Sequence, residues 1–208
     1  MVILLALVGV AIPGFQTNCA QRPGANESAA IASLKNIAVA QEQVQLAGWI
    51  DRNGDGVGEF GSLPILAGQP FDLPIGPDAI VSSQVEPPML SAAWLDADRD
   101  EFVRSAYRFR MFLPAVGGGF VSASSSESID PERATREWRC YAWPERPGQS
   151  GRRVFVIDQT GQVQSARVIQ AVEESVVRDA GIAEDPGDRS RLAVDTVAVD
   201  GRRWESVR

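Results

Sequence analysis

The sequence predicts an α+β protein in which a long N-terminal helix, apolar in its first half and amphipathic in its second, packs against an antiparallel β-sheet. Three observations lead there: an uncharged apolar run from Val2 to Phe15, an apolar stripe at helical spacing between Ala30 and Gln45, and strand-like stretches between Ser105 and Ile169. A helix followed by a meander favours a layer in which the sheet covers one helix face. By composition the chain divides into an apolar segment over 1–22, an α+β headgroup over 23–170 and a charged C-terminal extension over 171–208.

The run "VILLALVGVAIPGF" carries no charge, and Val2, Ile3, Leu4, Leu5, Leu7, Val8, Val10, Ile12, Pro13 and Phe15 are its candidates for burial in lipid or between helices. It is shorter than the about 20 residues that span a bilayer core of about 30 Å. No Lys or Arg precedes Arg22, so the basic start of a signal peptide is missing. The expectation is a membrane helix whose first turns lie upstream of Met1. Pro13, then Phe15 and the polar "QTNCAQ", describe a segment leaving the membrane with a kink.

After the interruption Arg22–Pro23–Gly24 the helical pattern resumes. Asn26 is the expected N-cap, with Glu27 placed favourably against the helix dipole. Ile31, Leu34, Ala38, Gln41 and Gln45 mark one edge of a core-facing stripe, and Ala30, Ile37 and Val44 the other. Gly48 is a fitting C-terminal stop.

In "SAYRFRMFL" the residues Tyr107, Phe109, Met111 and Leu113 alternate with Arg108 and Arg110, the pattern of a half-buried antiparallel strand. "EWRCYAW" reads as a second strand closed by Pro144, and "RRVFVID" and "QVQSARVI" as a hairpin across "QTG". Prolines at 64, 70, 74, 77, 87 and 88 exclude a long regular element over 62–100, leaving a surface loop or small subdomain. In the extension, "AVEESVVRDA" suggests a short helix, "RLAVDTVAVDGRRW" further strands, and Trp204 docking on the body.

A net charge of -7 argues against nucleic acid as a partner, because phosphate binding needs a basic face. Histidine is absent, which removes Ser-His-Asp and Cys-His schemes within the chain. G-x-S-x-G and phosphate-loop G-x-x-x-x-G-K-[ST] signatures are missing too, so the chain reads as a non-enzyme. The two cysteines, Cys19 and Cys140, cannot form a four-thiolate site, and their spacing leaves pairing open.

"DRNGDGVGEFG" (51–61) follows the amphipathic helix. Asp51, Asn53, Asp55 and Gly56 match positions 1, 3, 5 and 6 of a calcium loop, with the Val57 carbonyl as backbone ligand. The bidentate glutamate is replaced by Ser62, while Glu59 stands at position 9. A hard cation such as Ca2+ could therefore take oxygens from Asp51, Asn53, Asp55, Val57 and Glu59. The competing reading is a glycine-rich turn that ends the helix without metal. "DADRDE" (96–101) also spaces carboxylates by two, but with an arginine inside and no turn glycine it serves as a turn before the strand. No pair of carboxylates is singled out for glycoside hydrolysis.

"AIPGF", "ANESAAIASLKNI", "RSAYRFRMFLP", "CYAWP" and "GRRVFVIDQTGQV", in that order, resemble the type IV pilin-like proteins, including the pseudopilins of type II secretion. The resemblance covers roughly residues 2 to 168. It implies a helix that anchors the subunit in the inner membrane before assembly and packs in the filament core afterwards, its second half lying against an antiparallel sheet. Partners would be further copies or other pilin-like subunits, and the headgroup would face the periplasm or the exterior. The family's processing site and its register-setting glutamate have no counterpart among these residues, and Met1 falls near the middle of the expected helix. The resemblance thus implies either a chain continuing upstream of Met1 or one without the assembly signal. Two other functions fit the residues: an exported calcium-stabilised binding domain that does not polymerise, and an exported carboxylate-dependent hydrolase.

Overall fold

A computed structural model describes residues 23–76, 79–95, 101–122, 129–168, 181–189 and 191–207. The apolar run Val2 to Phe15 and Cys19 lie outside the described residues, as do "AVEESVVRDA" and positions 96–100 of the second acidic cluster.

Helix α1 runs from Pro23 to Ala47. Proline suits its first turn, where a missing N–H breaks no intrahelical bond. Asn26 therefore sits inside the helix and not at its cap. Its side-chain amide donates to the Ser150 carbonyl at 2.9 Å. The expected stripe is present: Ala30, Leu34, Ile37, Gln41 and Val44 are buried, and Ile31 and Ala38 flank the core. It is also broader than its apolar members, taking in Asn26, Glu27 and Ser33. The helix ends at Ala47, and Gly48, at φ 65°, donates its N–H to the Gln45 carbonyl. A left-handed residue is the usual way to satisfy the last carbonyls of a helix.

The proline-rich stretch becomes a short helix α2 (Leu63–Leu66), a hairpin of β1 (Phe71–Gly76) and β2 (Ala79–Ser83), and a 3-10 turn at Ala92–Trp94. The main sheet follows: β3 (Phe102–Arg104), β4 (Tyr107–Pro114), β5 (Phe120–Ser122), β6 (Arg139–Pro144), β7 (Arg153–Asp158), β8 (Gln164–Arg167), β9 (Thr196–Val197) and β10 (Arg203–Ser206). A short helix α3 (Pro131–Ala134) precedes β6. The strand order is β3-β4-β6-β7-β8-β10-β9, with β5 also on β4, and the pairings are antiparallel. The fold is α+β, as the sequence predicts. Strand β4 begins two residues later than its pattern suggests, because Ser105 and Ala106 adopt φ of 50° and 59° and turn the chain out of β3.

Tyr107, Phe109, Met111 and Leu113 meet Leu34, Ile37 and Val44 of α1 in one core with Cys140, Ala142, Phe155 and Ile157. Burial pushes the Cys140 thiol pKa well up, which keeps it protonated and unreactive. The expectation of a half-buried strand at Tyr107–Leu113 is overturned. Phe112, Tyr141, Trp143, Val154 and Val156 form a second core on the opposite face, under Ile182, Ala183, Leu192, Ala193, Ala198 and Trp204. The segment set apart by its charge is thus a cover, and β10 joins the sheet beside β8. Arginines that alternation directs outward lie beneath it or at its rim. Arg139, 2% exposed, pairs with Glu184 at 2.6 Å and stacks on Phe120 at 4.1 Å. Arg108 and Arg110 both reach Glu101 at 2.9 Å.

Candidate functional site

The residues with a claim to function gather around α1: the loop after its C-terminus, the contacts at its N-terminus, and its outer face. Gln41 fixes the loop from within the helix. Fully buried, it donates to the Gly61 carbonyl at 2.7 Å and accepts from the Gly61 N–H at 2.9 Å. Gly58 permits the close approach, since a Cβ there would stand 1.9 Å from the Gln45 carbonyl oxygen.

Inside the loop, one Asp51 oxygen accepts from the N–H groups of Gly54 (2.7 Å) and Asp55 (3.2 Å), and the other from Gly56 (2.9 Å). Asp55 accepts from the Val57 N–H at 2.7 Å and from the Asn53 amide at 2.8 Å. Asp51, Asn53, Asp55 and Val57 are therefore brought together around one turn. Glu59 is engaged differently. Its side chain is fully buried and both oxygens are taken by Arg52, through the backbone N–H and the guanidinium. Among the described residues no group of three or more acidic or cysteine side chains stands in metal-holding geometry. The hydrogen bonds of Asp51 and Asp55 to backbone N–H groups hold the turn together. Asp51→Ala is expected to destabilise the protein by about 1.5–3 kcal/mol, the scale for hydrogen bonds to a charged group, and to do so equally in a chelator. Calcium-dependent melting of the parent chain, lost in this variant, would instead assign the loop a cation.

At the other end of α1, Glu27 accepts from the Arg152 N–H and from the Arg153 guanidinium, each at 2.8 Å. Beside them the Tyr107 hydroxyl donates to the Arg153 carbonyl at 2.9 Å. Burial raises the Tyr107 pKa, and the Glu27 charge adds to it, so the phenol stays a donor. Gly151 lets this ring approach, because a Cβ there would overlap the hydroxyl at 2.0 Å. Glu27, expected to serve the helix dipole, is in fact a latch between α1 and β7. Its partners are 125 and 126 residues away, which no local pattern reveals.

Two grooves flank the outer face of α1. One of about 530 Å³ is lined by Lys35, Glu42, Gln45, Phe60, Trp138 and Gln159 among others. The second, about 330 Å³, includes Asn36, Gln43, Leu90, Trp94 and Arg104, and Val39 borders both. This face has no assigned role in the sequence reading, which follows only the buried stripe.

These features define an α+β protein with a long helix latched near one end onto an antiparallel sheet and near the other onto the loop that follows it. Comparison with protein-family models, characterised proteins and solved structures gave no match. Among the described residues no helix is long and apolar enough to cross a membrane.

Proposed function

We propose that the chain is a non-catalytic pilin-like subunit, held in the inner membrane by its N-terminal apolar segment and assembled with other copies into a type IV pilus or type II secretion pseudopilus filament. The headgroup then stands in the periplasm or outside the cell. The observation that carries this reading is the sequence of parts: an uncharged run ending at Phe15, then α1 from Pro23 to Ala47 packed along a sheet. A rod of this kind needs its direction fixed against the headgroup. Glu27 at one end and Gln41 near the other supply that, through partners in β7, its approach and the loop. In this reading Asp51–Gly61 is the stop that turns the chain from rod to headgroup.

The test is fractionation of cells producing the full chain. The protein is expected in the membrane and, after shearing, in filaments visible by electron microscopy. Val8→Asp, which places a charge in the apolar run, should shift it to the soluble fraction and remove the filaments, since a central aspartate costs about 2.5–3.5 kcal/mol on insertion scales. A parent chain that is soluble and forms no filaments would overturn the reading.

A further inference from the structure

We infer that Asn53 is a site of spontaneous chemical modification, an Asn–Gly pair that deamidates to aspartate or isoaspartate, and that Asp51 and Asp55 set its rate by holding the two reacting groups apart. The inference is independent of the filament reading, since it needs only the turn after α1. Of the four asparagines in the sequence, Asn53 alone is followed by glycine. Asn26 and Asn36 lie inside α1, where the next N–H is committed to helical bonding. Asn53 and Gly54 are exposed, and a Cβ built on Gly54 would meet nothing within 4 Å, so neighbouring atoms do not crowd the bond between them.

The reaction needs only water and base. The Gly54 nitrogen, having given its proton to base, attacks the Asn53 Cγ. The N–Cγ bond forms, the Cγ–Nδ2 bond breaks, and the side-chain nitrogen takes a proton from solvent and leaves as ammonia. Water then opens the cyclic imide at one of its two carbonyls. Breaking the N–Cγ bond gives aspartate, and breaking the bond to the backbone carbonyl carbon gives isoaspartate. No electrons are exchanged with an outside partner.

Both reacting groups are restrained by the turn. The Gly54 N–H donates to Asp51 at 2.7 Å, and a carboxylate so close disfavours the anion that the nitrogen must become. The Asn53 amide donates to the Asp55 carboxylate at 2.8 Å and accepts from the Asp55 N–H at 3.3 Å, which engages its side chain with residue 55 and not with the Gly54 nitrogen. The rate therefore follows the integrity of the turn. Conversion also acts back on it, because the new carboxylate has no N–H to give Asp55 and meets that like charge instead. The isoaspartate product lengthens the backbone by a methylene besides. The turn thus loosens in one direction as the folded chain ages.

The test is incubation of the full chain in detergent at mildly alkaline pH, with peptide mapping by mass spectrometry. The peptide holding Asn53 is expected to gain the mass difference between an amide and an acid, slowly in the folded parent and many times faster in the same chain unfolded by guanidinium chloride. Asp55–Gly56 can form a similar imide, but it loses and regains water and so leaves the mass unchanged. Folded Asp51→Ala and Asp55→Ala should each convert severalfold faster than the parent. Trp204→Ala, whose cavity opens on the other face of the sheet, should convert at the parent's rate. Asn53→Gln, whose longer side chain must close a larger ring, should show no gain. A peptide with no gain at Asn53 even in guanidinium chloride would overturn the site. A folded parent as fast as the unfolded chain, or Trp204→Ala as fast as Asp51→Ala, would overturn the restraint, and an aspartate variant no faster than the parent would overturn the part given to that aspartate.

Discussion

Replacing Trp204 by alanine is expected to destabilise the protein by about 3–5 kcal/mol, the range for removing a buried indole. The ring is fully buried, meets Tyr141 edge-on at 6.4 Å and sends its N–H toward Asp200 at 3.4 Å. It stands on β10, so its loss opens a cavity between the C-terminal cover and the second face of the sheet. For a chain of this size each kcal/mol moves the melting temperature by about 2–4 °C. Thermal unfolding of the full chain in detergent should therefore show a fall on the order of 10 °C. Limited proteolysis should at the same time cut the variant near Leu192 while the parent resists. The comparison that probes the polar side of this docking is Glu184→Ala, which removes the carboxylate partner of the Arg139 guanidinium under the cover and leaves it the Arg189 carbonyl. A Trp204→Ala chain melting within a few degrees of the parent would show that the C-terminal segment does not fold cooperatively with the sheet.

Local chemistry made much of this fold legible. Helix α1, its stop at Gly48, and β4, β6, β7 and β8 follow from periodicity and from turn residues, because in each case the stabilising contacts repeat at short intervals along the chain. The second layer is legible at Trp204 and in the strands expected over 191–204, where β9 and the start of β10 lie. That Ile182, Ala183, Leu192 and Ala193 gather with them rests on tertiary contact. This is also why Arg108 and Arg110 suggested a solvated face. Alternation reports that two faces differ, not what lies on the polar one, and a carboxylate such as Glu101 lets arginine stay there partly buried. At the candidate site the aspartates of the loop were found by spacing, and spacing cannot distinguish a carboxylate that binds a cation from one that binds backbone N–H groups. Asp51 here binds three. Glu59 was placed by counting from Asp51, whereas burial beside Arg52 decides what its oxygens meet.

Gln41→Leu should weaken the join between the rod and its turn by about 2–4 kcal/mol, and the argument runs through satisfaction of the backbone rather than through volume. Leucine fills most of the space and suits the apolar neighbours Leu34, Ile37 and Val44 along the stripe. It offers nothing to the Gly61 N–H and carbonyl, each of which then lies buried without the partner that the amide supplied. A buried backbone group deprived of its bond loses about 1–3 kcal/mol, and two are affected; the apolar gain of leucine offsets only part. Gln41→Glu should fall between parent and leucine variant, since a carboxylate still accepts from the Gly61 N–H but no longer donates to its carbonyl. Hydrogen exchange supplies the local measure: the Gly61 amide should lose protection in Gln41→Leu by more than amides in β6 and β7, whereas a uniform loss would mean general destabilisation. A leucine variant as stable as the parent, with Gly61 still protected, would show that the loop is held by its own turn and that α1 ends free of it. The filament reading would then lose a contact near the C-terminal end of the rod, and the angle between helix and headgroup would rest on the others, Asn26 and Glu27 among them.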